Sequence, residues 1–142
     1  MKYILNEPVC GKTGTDHYQC TIKWRAGEFI TDESLPCGGK DLGPDPFTLL
    51  LASLASCTLA TLRMYIDRKG WLIDQIEVST NLFQTAKDGI CTSTIEREIR
   101  LPNGVLDEKR DRLLEIASKC PISKLLEGHI KIRSYLFNEG GD

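Results

Sequence analysis

Polar and apolar positions alternate over residues 17–24, which puts Tyr18, Cys20, Ile22 and Trp24 on one face. That period of two marks a half-buried strand. Ala26-Gly27 reads as a turn and residues 28–31 as a second strand, so the pair forms a hairpin. Residues 34–46 hold three prolines and three glycines and are expected as loop. Asp45 then stands as an N-cap, with Pro46 at the first helical position. The helix runs to about Lys69 and stops at Gly70, a residue suited to a left-handed cap. Between 49 and 62 it is apolar or small on nearly every side, the pattern of a helix surrounded by protein. Ala52, Ser53, Ala55, Ser56 and Ala60 let another backbone approach closely. A single small domain has too little material to wrap such a helix, so a homodimer is expected.

Residues 74–85 and 91–101 read as paired strands around the turn Lys87-Asp88-Gly89. Asp107 is expected to cap a second helix reaching about residue 119, with Leu113, Leu114, Ile116 and Ala117 as its apolar stripe. Cys120-Pro121 breaks that helix and opens a short one to 126, closed by Gly128. Residues 129–137 are expected as a last strand. The order ββ-α-ββ-α-β, with antiparallel hairpins, argues for one α+β domain over 1–142 rather than a parallel α/β fold.

Composition narrows the function classes. The chain is 41% hydrophobic and 27% charged, with a net charge of −2 and its Lys and Arg residues scattered. Neither nucleic acid nor an anionic membrane would meet a strongly basic surface, so neither is expected as a partner. Residues 1–10 lack the apolar stretch and cleavage site of a signal peptide. The longest uncharged run, 47–62, has sixteen residues. That is short of the roughly 18 to 20 that a membrane span needs, so it reads as a core helix and a cytoplasmic location is expected.

Six cysteines lie at 10, 20, 37, 57, 91 and 120. Reducing pools keep cytosolic thiols reduced, so a static disulfide framework is not expected. No CxxC spacing occurs and His17 and His129 are the only histidines, so no metal site is expected either. Redox chemistry or inert burial remains. Cys57, in the middle of the apolar helix, reads first as a small packed hydrophobe; as a nucleophile it would need charge from another segment or another chain. Cys120 is better placed by local rules: it lies at a helix start, with Lys119 and Lys124 nearby, and these favour thiolate. Spacing leaves open whether the two cysteines meet. Cys20 reads as core, Cys91 as an edge or hairpin position, and Cys10 and Cys37 as loop. His129 reads as a packed or surface residue. Gly11-Lys12-Thr13-Gly14 and Gly38-Gly39 lack the strand-to-helix setting of a phosphate loop.

Gly38-Gly39, the run Gly43-Pro44-Asp45-Pro46-Phe47-Thr48-Leu49-Leu50-Leu51-Ala52-Ser53-Leu54 and then Cys57-Thr58 resemble the first cysteine motif of the OsmC/Ohr family. Thr61 to Tyr65 and Arg68-Lys69-Gly70 continue it in the manner of the YhfA-like branch. Ala117 to Lys124, with Cys120-Pro121 inside, resembles the family's second motif. The resemblance covers the chain from about Tyr18 onward. It implies an intertwined homodimer with two central helices packed together and active sites at the interface. It also implies thiol-dependent reduction of organic hydroperoxides in oxidative-stress defence. On that reading Cys57 attacks the peroxide and becomes a sulfenic acid, and Cys120 resolves it to a disulfide. An external dithiol restores both thiols, with no metal or bound cofactor.

The sequence departs from the family pattern in two places. Where characterised reductases carry a glutamate after the helix-opening proline, this chain has Phe47 and then Thr48. The arginine expected in the N-terminal region has no clear counterpart; Lys12, Arg25 and Arg63 are the candidate cations, and Glu33 the candidate acid. Two further readings therefore stand beside the first. One is a non-enzymatic stress protein that holds an apolar ligand at its dimer interface; the other is a thiol redox sensor. In the enzyme reading, Phe47, Leu50 and Leu54 would suit the alkyl tail of an organic hydroperoxide.

Overall fold

Backbone contacts in the computed structural model, which describes residues 2–137, divide the chain into two units, one ending at Ser53 and one beginning at Leu54. In the first, three antiparallel strands, β1 (Cys10–Thr13), β2 (Cys20–Trp24) and β3 (Gly27–Thr31), form a sheet in that order. The β2–β3 hairpin follows the alternation read from the sequence, with Trp24 opposite Gly27 and Cys20 opposite Thr31. Only Cys20 and Ile22 of the expected apolar face are half-buried; Tyr18 and Trp24 are exposed. β1 was not expected. Its four residues are all exposed and include Gly11, so no periodicity announces it, yet Thr13 pairs with Cys20.

The loop that follows is organised by Asp32. Its buried carboxylate accepts the backbone N–H groups of Glu33 (2.8 Å), Lys40 (3.1 Å) and Leu42 (3.2 Å). Burial pushes this carboxyl up, and the three N–H groups with nearby Lys40 outweigh it and hold it below its ordinary value. A side chain at Gly39 would collide with the Glu33 carbonyl, and one at Gly43 with that of Ile30. Gly39 is thus explained by packing.

α1 (Pro46–Lys69) starts where the sequence indicates. Asp45 accepts the Thr48 N–H at 2.9 Å and the Thr48 hydroxyl at 2.9 Å, and Gly70 ends the helix at φ 65°. In the second unit β4 (Glu77–Lys87) and β5 (Ile90–Arg100) pair over their whole length. Their turn puts Asp88 (φ 53°) and Gly89 (φ 77°) in the left-handed region, as a two-residue hairpin turn requires. α2 (Asp107–Ala117) and α3 (Pro121–Glu127) complete the unit. The core joins Leu62, Tyr65 and Ile66 of α1 to Ile73 and to Leu113, Ile116 and Ala117 of α2. Arg63 ties the α1–β4 connection by donating to the carbonyls of Ile73 (2.8 Å) and Asp74 (3.0 Å).

Several expectations are corrected. Leu106, not Asp107, is the N-cap of α2, and Asp107 lies in its first turn, where a negative charge is equally favoured. Leu114 is exposed, because the buried face of α2 runs through Leu113, Ile116 and Ala117. Residues 129–137 form no strand, since a strand needs a partner and the sheet of this unit pairs β4 only with β5. α1 contains an 18-residue stretch of mean hydropathy 1.6, long and apolar enough to cross a membrane by length and composition. Here it is the core helix, with Leu54, Thr58, Leu62, Tyr65 and Ile66 buried. It is enclosed on one side only: Ala52, Ser56, Ala60 and Met64, four residues apart, form an exposed stripe.

Candidate active site

Cys57 and Cys120 meet inside the second unit. Cys57 lies mid-way along α1, half-buried; Cys120 is the N-cap of α3 and fully buried. Pro121 explains the second position. It cannot continue α2, having no N–H to give, and it fits the first position of a new helix, so the chain bends at Cys120. The Cys120 Sγ then takes the capping role, accepting the Ser123 N–H at 3.4 Å. The Ser123 hydroxyl lies at 3.5 Å from the same sulfur and the Thr58 hydroxyl at 3.9 Å. Cys57 and Cys120 are close enough to influence each other's ionisation, and the Ile122 N–H and Thr61 hydroxyl act on that of Cys57.

Behind both hydroxyls stands Arg97 of β5. One guanidinium nitrogen donates to Thr58 Oγ1 at 2.9 Å and to Ser123 Oγ at 2.8 Å. A hydroxyl has one proton to give. Thr58 gives its proton best to the Leu54 carbonyl at 2.8 Å, so Ser123, which accepts from Arg97, is left as the hydroxyl donor to Cys120.

These surroundings set the two thiols apart. For Cys120, burial pushes upward, but Ser123 through side chain and backbone, then Cys57 and Thr58, bring the thiol down to about 7. For Cys57, burial pushes upward and the neighbouring Cys120 adds to it; the Ile122 N–H and Thr61 only partly compensate, and the thiol is raised. Local sequence rules rank the acidities in this order; the family resemblance, which makes Cys57 the reactive thiolate, ranks them the other way. Exposure ranks access the other way, since an external molecule can touch Cys57 and not Cys120.

Beside the pair is a hollow of about 210 Å³ lined by Leu54, Ile95, Leu126, Ser93, Ser123, Arg97 and Glu127. Its lining is mixed, three apolar side chains with two hydroxyls, one cation and one anion, and of the three residues expected to suit an alkyl tail only Leu54 lines it. A larger hollow of about 680 Å³, between Tyr65, Trp71 and α2, contains neither cysteine.

Cys10, Cys37 and Cys91 are exposed and Cys20 is half-buried in β2. Cys10 opens β1, where a loop was expected. Lys12, Arg25 and Glu33 belong to the first unit, where Arg25 lies 5.3 Å over the Trp24 ring. Arg63 is committed to backbone carbonyls, and His129 is exposed after α3. Among the described residues no three His, Cys, Asp or Glu side chains gather as a metal site would need. Sequence reasoning missed Arg97, Thr58 and Ser123. Arg97 left a trace: it occupies the apolar phase of β5 between Ile95 and Ile99, an odd place for a charge unless it has buried work.

Two neighbouring thiols, one buried at a helix start and one half-buried mid-helix, thus stand together on an antiparallel α+β scaffold. Over residues 38–134 the sequence matches the OsmC-like proteins, and the chain belongs to that family. Solved structures carry the same fold. An organic hydroperoxide resistance protein from Elizabethkingia anophelis aligns with TM-score 0.69 and 24% identity, covering 92% of this chain and 94% of that one. OhrB of Bacillus subtilis, also an organic hydroperoxide resistance protein, gives 0.63 and 22% over 89% and 93%. An OsmC-like protein from Mycoplasma pneumoniae gives 0.68 and 21% over 89% and 90%. No curated protein sequence matches the chain.

Proposed function

We propose that this protein reduces organic hydroperoxides with Cys57 as the attacking sulfur and Cys120 as the resolving one. The observation that carries the reading is the accessible Cys57 in contact with the buried, hydroxyl-supported Cys120. The Cys57 thiolate attacks the distal oxygen of ROOH; the S–O bond forms as O–O breaks, and the alcohol leaves. Cys120 sulfur then attacks the sulfenic sulfur, forming S–S and releasing hydroxide, which becomes water. A small external dithiol reduces the disulfide by exchange. The family, and neighbours named for organic hydroperoxide resistance, support the same reading. The chain acts as a single OsmC-like domain over 1–142, as a homodimer in the cytoplasm, in defence against oxidative stress.

The test is loss of cumene hydroperoxide in the presence of reduced protein and a dithiol. Wild type turns over; Cys57→Ser does not. Full turnover by Cys57→Ser removes the assignment. A second reading has its own observation: Phe47 and Thr48 stand where the family's acid is expected, and Phe47 is exposed. On that reading the protein holds an apolar ligand without consuming peroxide, and an absence of turnover together with a co-purifying apolar molecule would put it first.

A further inference from the structure

The family's supporting charges are missing at Phe47 and Thr48, yet a charge does reach the thiol pair, from β5. We infer that Arg97 is the positioning residue of this site, acting through the Ser123 hydroxyl to keep the resting negative charge on Cys120, so that Cys120 serves as the base that takes the proton of Cys57. This rests on the hydroperoxide reading for its role in turnover; the placement of the charge stands apart from it.

The geometry supports each link. One guanidinium nitrogen bridges Thr58 and Ser123 at 2.9 and 2.8 Å, fixing both hydroxyl oxygens as acceptors. With its oxygen so engaged, Ser123 turns its proton to Cys120 at 3.5 Å, and its N–H reaches the same sulfur at 3.4 Å. A sulfur held by donors is stabilised as the anion, and a cation one hydroxyl away strengthens that donor. Cys57 meets the opposite condition, because the group beside it is the charged sulfur. Few other charges take part. The charged and titratable groups around Cys120 are Cys57 on α1 and Arg97 on β5; Glu127 of α3 lines the hollow beside Arg97, and Lys119 and Lys124 are exposed. Among the described residues Arg97 makes no ion pair, so its charge is directed to the two hydroxyls.

Cys120 cannot itself be the attacker, because it is fully buried. The balanced sequence is therefore a proton exchange followed by attack. Cys57–SH gives its proton to Cys120–S⁻. The Cys57 thiolate takes the distal peroxide oxygen, and the departing alkoxide recovers the proton from Cys120–SH as the alcohol. Cys120, again a thiolate, then attacks the sulfenic sulfur and expels hydroxide, which a solvent proton converts to water.

The experiment is a titration of the ultraviolet thiolate band of the reduced protein, which needs no peroxide. Difference spectra against Cys120→Ser are expected to contain the most acidic thiolate, and Cys57→Ser is expected to retain it. Arg97→Met should move its midpoint up by about one pH unit; Arg97→Lys, which keeps the charge, should recover most of that shift. If the acidic band disappears in Cys57→Ser and persists in Cys120→Ser, the assignment is overturned. An unchanged midpoint in folded Arg97→Met overturns the role of the arginine. Should Arg97→Met fail to fold, Ser123→Ala tests the same relay: an upward shift supports it and no shift overturns it. A protein with this titration but no peroxide turnover loses the proposed reaction and keeps the charge placement.

Discussion

Arg97 and Cys120 show how differently two residues of one site register in a sequence. Cys120 is flanked by Pro121 and two lysines, so local rules mark both its helix-start position and its acidity, and the structure agrees on each. Arg97 acts across 39 positions of chain to Thr58 and 26 to Ser123, and no local rule sees such a contact. Cys57 and Cys120 are 63 residues apart; the family motif paired them, while spacing alone left the question open. The acidity leads to a prediction. Cys120 is drawn below its ordinary value to about 7, so the thiolate is present above that pH and is lost as pH falls through it. The rate of peroxide consumption should then fall about tenfold per pH unit on the acid side. A stopped-flow pH profile checks this, and a midpoint at the ordinary thiol value, about 8.5, would contradict it.

At the scale of elements, α1 was the most legible part of the chain. Its Asp45-Pro46 start and Gly70 stop are local chemistry, and local chemistry decides them. The β4–β5 hairpin was legible for the same reason, through Asp88-Gly89. β1 was hidden because four exposed residues carry no pattern. The strand expected over 129–137 was misread because alternation describes a face, while pairing depends on a neighbour. Packing makes the α1–α2 contact quantitative. Leu62 is fully buried among Leu113, Ile116 and Ala117, so Leu62→Ala should cost about 2–5 kcal/mol in urea unfolding. Leu114→Ala, at an exposed position of the adjoining helix, should change stability by no more than about 0.5 kcal/mol. Equal effects of the two would refute this core.

Across the whole molecule, the described residues leave much apolar surface uncovered. Leu72 is 97% exposed, and Ile132, Tyr135, Leu136 and Phe137 are each at least 86% exposed. The Ala52–Ser56–Ala60–Met64 stripe adds a helix face shaped for close approach. Surface of this kind marks an interaction site, which agrees with the proposed homodimer. Sedimentation at micromolar concentration should give twice the chain mass, and Ala60→Arg should reduce it to one; a wild-type monomer would remove the dimer. The central claim, though, is that Cys57 and Cys120 exchange electrons with a peroxide. Its most direct test is peptide mass spectrometry after one equivalent of cumene hydroperoxide is added to the fully reduced protein. The account predicts a Cys57–Cys120 linked peptide in wild type and a sulfenic acid on Cys57 in Cys120→Ser. Two free thiols at 57 and 120, or oxidation confined to exposed Cys10, Cys37 and Cys91, would contradict it.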